Sequence, residues 1–236
     1  RRQGHQVTIY EAHEKPGGML RYGIPSYRLP HEDLDAEIKA ITDLGVDIYC
    51  NTSLGCDITM DQLEEGYDAV FLAIGAQQSR MVGIPGEEID QVQGGVEFLR
   101  SVACGEGVHV GERVIVVGGG NTAIDAARTA VRLGADEVTI LYRRSREQMP
   151  ALDVEVEAAA DEGVEFHFLA SPIGFERANG DVKVTSIRME LGPPDDSGRR
   201  RPVPIDDSEF SIESDTVVMA IGQVVNPACV GTCELG

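Results

Sequence analysis

The segment Val114 to Asp125 constrains this chain more than any other: it reads V-I-V-V-G-G-G-N-T-A-I-D. A β-branched run predicts a buried strand, and the apolar spacing beyond the glycines predicts a helix from about Thr122 to Leu133. A strand that passes through glycines straight into a helix is the context a G-x-G-x-x-A turn needs in order to bind a dinucleotide. Gly118 permits the tight turn, Gly120 lets backbone approach a pyrophosphate, and Ala123 keeps the helix close to the sheet. Free N–H groups at the helix start then meet the phosphate charge.

The rest of the chain repeats the same alternation of short apolar runs and helical periods, which predicts an α/β fold. Strands are expected at Val7–Tyr10, Ala69–Ile74, Val114–Val117, Val138–Tyr142, Val164–Leu169 and Asp215–Ile221. Helices are expected at His31–Leu44, ended by Gly45, and from about Leu152 to Glu162. The stretch Phe175–Leu191 pivots on Asn179-Gly180 and predicts a β-hairpin, followed by a loop over Gly192–Gly198. Glycine is abundant, 27 residues in 236, as tight backbone approaches in an α/β protein require.

Two internal echoes bear on organisation. Arg2-Gln3-Gly4 leading to Val7-Thr8-Ile9 parallels Arg132-Leu133-Gly134 leading to Val138-Thr139-Ile140. Asp68–Gly75 (D-A-V-F-L-A-I-G) parallels Asp215–Gly222 (D-T-V-V-M-A-I-G), with Asp, Val, Ala, Ile and Gly at matched positions. Buried strands resemble one another in any protein; two related nucleotide-binding domains account for both echoes at once.

The strand after the glycine turn decides between nicotinamide cofactors. A carboxylate at its end would hold the ribose hydroxyls of NAD. Here Tyr142 is followed by Arg143, Arg144, Ser145 and Arg146, with no carboxylate before Glu147. Guanidinium groups suit a 2′-phosphate through charge and forked donors, so the expected cofactor is NADP(H). The plain alternative is a solvated basic loop, yet the chain's formal charge is −20 and three arginines within four residues stand out against it.

That acidity excludes a broad basic face, so no nucleic-acid partner is expected. No run of about 18 apolar residues occurs, so no membrane span is expected. The N-terminal residues Arg1–His5 have no apolar signal-peptide core behind them. Five scattered cysteines (Cys50, Cys56, Cys104, Cys229 and Cys233) form no Cys-x-x-Cys pair, and no metal site is expected. The setting they fit is a reduced, cytoplasmic one.

Glu11 stands at the end of the first strand, where a ribose-binding carboxylate of a dinucleotide fold belongs, or else is a surface residue. The matching glycine loop should lie roughly 20 residues upstream, and only ten residues precede Glu11. The chain is thus expected to begin after that loop. Lys15 to Pro30 then reads K-P-G-G-M-L-R-Y-G-I-P-S-Y-R-L-P. Together with V-G-G-G-N-T-A-x-D and Y-R-R-S-R-x-x-M-P-A (Tyr142 to Ala151), it resembles the NADPH-linked flavin oxidoreductases typified by the glutamate synthase small subunit. Modules of dihydropyrimidine dehydrogenase and of electron-bifurcating ferredoxin:NADP transhydrogenases are similar.

The resemblance implies two dinucleotide-binding, glutathione-reductase-like domains, with an NADP domain (111–214) inserted between parts of a truncated FAD domain (1–110 and 215–236). It implies Glu11 at the FAD ribose, Gly18, Met19 and Arg28 along the flavin nucleotide, and Leu54 near the adenine. Gly119, Gly120, Asn121 and Thr122 would hold the NADP pyrophosphate, and Arg143, Arg144 and Arg146 its 2′-phosphate. Ala220, Ile221 and Gly222 match the strand end that approaches both cofactors. Hydride would pass between NADP(H) and FAD, with an iron–sulfur protein or a large synthase subunit as acceptor. The FAD phosphate loop, the closing Gly-Asp segment and the cysteine-rich iron–sulfur segment of the family have no counterpart here. FAD retention by these residues alone is therefore the open expectation, the other being a non-catalytic NADP(H)-binding module.

Overall fold

A computed structural model describes residues 1–178, 180–196 and 198–226, and the chain divides into two compact units. One comprises Arg1–Gln77 and the chain from Val224 onward; the other is the insertion Gln78–Gln223.

The first unit is thinly built. Thr8–Tyr10 (β1) and Asp47–Tyr49 (β2) pair in parallel, Ile9 opposite Ile48. Its helices are Met19–Tyr22 (α1), His31–Thr42 (α2) and Met60–Gly66 (α3). Thr59 caps α3 through a reciprocal pair with Gln62, satisfying helix-start donors. The helical period read from His31 onward is present in α2, and Gly45 takes a left-handed φ of 83° beyond its end. Only Leu34 of that helix is buried, while Ile41 and the following Leu44 remain exposed.

The inserted unit holds most of the core. Gln78–Ser79 (β3) begins it, followed by Val92–Gly94 (β4), Gly95–Ala103 (α4), Arg113–Val117 (β5) and Asn121–Arg132 (α5). Glu137–Tyr142 (β6), Asp153–Asp161 (α6) and Glu165–Phe168 (β7) continue the alternation. Ala170–Ala178 (β8), Asp181–Pro194 (β9), Arg200–Pro204 (β10) and Phe210–Ser214 (β11) form a four-stranded antiparallel sheet built on β9. Thr216–Met219 (β12) then returns to the parallel sheet, and Gln223–Val224 (β13) pairs with β3.

The parallel sheet has the order β4-β12-β5-β6-β7. Successive side chains of a strand point to opposite faces, and both faces are buried here. Val114, Val116, Ile140 and Val218 pack with Phe98, Ala123, Ala127 and Ala130 of the helices. Ile115, Val117, Leu141, Val217 and Met219 pack with Phe175, Val182 and Val184 of the antiparallel sheet. The unit is thus three layers: helices, parallel sheet, antiparallel sheet. Alanines on α5 let that helix lie close on the strands, as a dinucleotide fold needs.

The structure differs from the sequence-based expectation in three places. Ala69–Ile74 is no strand: it pairs with nothing among the described residues, and Phe71 is 91% exposed. A strand needs a neighbour for its backbone groups, and among the described residues the only sheet joining strands wholly inside this unit is the β1–β2 pair. The expected loop at Gly192–Gly198 is shorter, because β9 runs on to Pro194 and pairs with β10. The units divide at 77/78 and 223/224 instead of 110/111 and 214/215, since β4, α4 and β12 share the core of β5 to β7. The expected hairpin forms with Ala178 opposite Asp181; its pivot residue Asn179 lies outside the described residues, as do Cys229 and Cys233. Cys50, Cys56 and Cys104 are free thiols.

Candidate functional site

At the carboxyl end of β5 the chain turns through Gly118, Gly119 and Gly120 into α5. Gly118 has φ 148°, and a Cβ there would lie 2.2 Å from the carbonyl oxygen of Ala220 and 3.2 Å from the Ala123 methyl. Only hydrogen fits, because the turn is pressed between the next sheet strand and its own helix. A Cβ on Gly119 would lie 2.4 Å from the ring of Tyr142, at the end of β6. Gly120 is different: nothing lies within 4 Å of the side it would present. The open face of the loop is therefore at Gly120, where helix α5 begins.

No side chain caps α5. The carbonyl of Gly120 accepts the Ala123 and Ile124 N–H groups, and helix geometry leaves those of Asn121 and Thr122 without an intrahelical acceptor. The Asn121 side chain is turned elsewhere, its Oδ1 accepting the Leu152 N–H at 3.1 Å, while the Gly119 carbonyl accepts the Ala151 N–H at 3.2 Å. Residues Met149–Leu152 are in this way fastened to one side of the loop. Partial positive charge at an uncapped helix start beside a glycine is an anion site for a diphosphate.

The loop has two further walls. Ala220 donates its N–H to Val117 O at 2.8 Å, which lays Ala220–Gly222 beside the glycines. A Cβ on Gly95, at the start of α4, would meet the Ala220 methyl at 3.1 Å. Gly94-Gly95 thus joins the same carboxyl edge of the sheet, a role its bare sequence did not announce.

The three arginines after β6 separate sharply. Arg143 is exposed and has no carboxylate partner among the described residues. Partial burial, then the adjacent Arg144 charge, hold its guanidinium below the usual arginine range. Arg144 is 4% exposed, ion-paired to Asp195 Oδ2 at 2.6 Å and donating from Nε to Arg200 O at 2.8 Å. Arg146 pairs with the exposed Asp153 at the start of α6. Of the three, the structure leaves Arg143 uncommitted.

The sequence matches the pyridine nucleotide-disulphide oxidoreductase family over residues 1–235. The chain belongs to that family. It is 49% identical to the NADP(+)-dependent formate dehydrogenase subunit beta of Moorella thermoacetica, over 99% of this chain and 34% of that protein. It is 39% identical to the glutamate synthase [NADPH] small chain of Escherichia coli (strain K12), over 94% of this chain and 50% of that one. The chain thus spans a third to a half of the length of these relatives. Among solved structures, Mycobacterium tuberculosis FprA in complex with NADPH superposes with a TM-score of 0.80 at 21% identity, covering 92% of this chain and 64% of that one. At that identity the likeness shows the fold.

In the first unit, the remaining candidates follow the carboxyl ends of β1 and β2. Glu11 donates its N–H to Tyr49 O and accepts the Thr52 N–H, both at 2.9 Å, which ties the two strand ends together. Its Oε1 accepts the His13 N–H at 2.9 Å. Gly18, at φ 50°, opens α1 with no atom within 4 Å of its missing side chain, and the Met19 sulfur lies over Gly23. Arg28 closes a turn through its N–H to Pro25 O, and Leu54 forms a lone bridge with Ile58. Beside them, Arg21 is buried, donating to Pro16 O at 2.7 Å and pairing with Asp35. Sequence reasoning passes over Arg21, whose buried partners no local pattern discloses.

Among the described residues no helix is long and apolar enough to cross a membrane, and no group of three or more His, Cys, Asp or Glu side chains could hold a metal.

Proposed function

We propose that this chain is the nucleotide-handling portion of an NADPH-dependent flavin oxidoreductase, passing hydride between NADP(H) and FAD. One observation carries the reading. An uncapped helix start behind an open glycine face stands one strand away from an uncommitted arginine, so a diphosphate and a 2′-phosphate can be held together.

The residues fit the nucleotide. Gly118, Gly119 and Ala123 bring backbone close, and the N–H groups of Gly120, Asn121 and Thr122 would take the pyrophosphate. Arg143 would take the 2′-phosphate, while Arg144 and Arg146 hold the surrounding segments. In the first unit the open face of Gly18 and the second carboxylate oxygen of Glu11 would meet the flavin nucleotide, with Met19, Arg28 and Leu54 alongside. When bound, the two cofactors supply the hydride chemistry themselves. The chain's part is alignment and charge: Ala220–Gly222 and Gly94-Gly95 crowd the sheet edge beside the glycine turn and limit how the nicotinamide nucleotide can lie there. No side chain is assigned as an acid or base. The sequence holds no Cys-x-x-Cys, which favours nucleotide-to-flavin transfer over disulfide reduction. The relatives named as subunits or chains of larger enzymes support a partner as electron acceptor, an iron–sulfur protein or a large synthase subunit.

A second reading, a module that binds NADP(H) and does not retain FAD, is favoured by the thin first unit, where Asp68–Gly75 lies unpaired. Anaerobic titration of FAD-reconstituted protein with NADPH and then NADH separates the two. Bleaching of the flavin band by NADPH and not by NADH is expected of the oxidoreductase. NADPH binding without retained flavin is the outcome of the second reading, and preference for NADH would sink both.

A further inference from the structure

The segment from Tyr142 to Leu152 is fastened on two sides. On the glycine side, Gly119 O and Asn121 Oδ1 accept the N–H groups of Ala151 and Leu152. On the other side stands the tip of the β9–β10 hairpin, closed on itself by the Asp195 N–H to Arg199 O and the Gly198 N–H to Asp195 O, both at 2.8 Å. Arg144 binds this tip through Asp195 Oδ2 at 2.6 Å and Arg200 O at 2.8 Å. Gln148 binds it again: its Oε1 accepts the Arg200 N–H at 2.9 Å, and its own carbonyl accepts the Tyr142 hydroxyl at 2.7 Å. The backbone of Arg144 is held as well. Its carbonyl accepts the Leu169 N–H at 3.1 Å, and the Leu169 carbonyl accepts the Met189 N–H of β9 at 2.8 Å. Leu169 takes φ 55°, a left-handed conformation that a leucine keeps only where its surroundings impose it.

These contacts converge on Arg144, which is 4% exposed, whereas Arg143, one residue earlier, is exposed and has no carboxylate partner among the described residues. Resemblance makes both of them phosphate ligands. A buried guanidinium cannot turn to an arriving phosphate without giving up Asp195, and breaking such a pair is costly. An exposed arginine, in turn, binds best when the backbone that carries it is already fixed, because less freedom is lost on binding. Resting on the NADP(H) reading above, we infer that Arg144 is a positioning residue and not a phosphate ligand. Its pair with Asp195, 51 positions away, makes the β9–β10 hairpin the brace that holds the end of β6 so that Arg143 presents its charge to the 2′-phosphate.

The sign of one substitution separates the two roles. By charge alone, deleting a carboxylate favours an anion, and releasing a second arginine would favour it further. The brace predicts the opposite. Calorimetric titration of the whole chain at fixed salt compares 2′,5′-ADP with 5′-ADP. Asp195→Asn is expected to weaken 2′,5′-ADP by about tenfold, the scale of one charge-assisted contact, and to leave 5′-ADP unchanged. Gln148→Met, which removes the second grip without altering charge, should weaken 2′,5′-ADP in the same direction by less. Arg144→Lys should lose discrimination too, because one ammonium cannot repeat the fork to Asp195 and Arg200. Melting curves identify a variant that does not fold, and the remaining substitutions then decide. Tighter 2′,5′-ADP binding by Asp195→Asn would make Arg144 a ligand held in check by its partner, and the inference would fall alone. It would fall alone as well if Arg143→Ala lowers discrimination while Asp195→Asn and Gln148→Met leave it intact. If the parent itself does not prefer 2′,5′-ADP, the NADP(H) reading falls and takes the inference with it.

Discussion

Asp68–Gly75 and Asp215–Gly222 share five of eight residues at matched positions and end in different structures. The second is strand β12, buried on both faces between β4 and β5, with Val217, Val218 and Met219 fully enclosed. The first has no ladder partner among the described residues, its side chains alternating between partly covered (Val70, Leu72, Ile74) and exposed (Ala69, Phe71, Ala73). Local propensity is the same in both, so it does not decide. What β12 has is a parallel neighbour on either side and a packed layer over each face; β-propensity measures fit to such a surface more than any preference of the backbone. The unpaired run keeps the alternation of burial and lacks the surface.

The largest effect that separates the two is expected from a charge at the third position after each Asp. Val218→Asp would place a carboxylate in a fully buried site with no partner. The inserted unit should lose at least about 4 kcal/mol, enough to abolish its cooperative unfolding in a urea titration followed by circular dichroism. NADPH binding should vanish with it, since Gly118 leans on the strand's direct continuation in Ala220. Retention of a sharp transition by Val218→Asp would mean that β12 is not enclosed between β4 and β5.

A smaller effect is expected at the aspartates. Asp215 accepts the N–H groups of Glu112 and Arg113 at 2.8 and 2.7 Å, and the Arg113 guanidinium at 3.1 Å. Burial alone would raise its carboxyl, but the Arg113 N–H, the Arg113 guanidinium and the Glu112 N–H outweigh it and hold the group below the ordinary range. A folded-state pKa that is lowered contributes stability above the unfolded value and loses it as pH falls through the folded one. Asp215→Asn should therefore cost about 1–3 kcal/mol at pH 7. That difference should shrink in acid, beginning near the unfolded aspartate value of about 4. Asp68 is exposed, and Asp68→Asn should change stability by no more than about 0.5 kcal/mol at either pH. Equal costs at both positions would show that the echo is structural after all.

The comparison also shows which parts of the molecule its sequence discloses. Strand β5, the glycine turn and α5 are legible because every determinant lies within about a dozen residues: β-branched run, turn glycines, amphipathic helix. The same holds for the hairpin around Gly180 and for β6. Arg144 is legible as an arginine and not as a staple, since its partner Asp195 lies 51 positions away and nothing local distinguishes it from Arg143. Resemblance puts Gly119 at the phosphate, while its closest constraint is the Tyr142 ring 23 positions on, a contact made only when β6 pairs with β5. The strand expected at Ala69–Ile74 fails for the same reason in reverse: its pattern is right, and pairing, which no single segment contains, is missing.

The smallest effect is the sharpest check on that argument. Phe71 occupies the position of Val218 in the echo, and it is 91% exposed. A side chain that touches almost nothing has almost nothing to lose, so Phe71→Ser should shift the unfolding free energy of this chain by less than about 0.5 kcal/mol. The sign is expected to be neutral or favourable to solubility, because an exposed ring in an apolar run without a strand partner is a site for association between copies. Measuring the wild type and Phe71→Ser at several protein concentrations separates the contributions. If wild-type stability rises with concentration and the serine variant's does not, the run gains its missing neighbour from a second copy. A loss above about 2 kcal/mol at every concentration would instead place Phe71 in a core within one molecule, and the two echoed segments would then be alike in packing as they are in sequence.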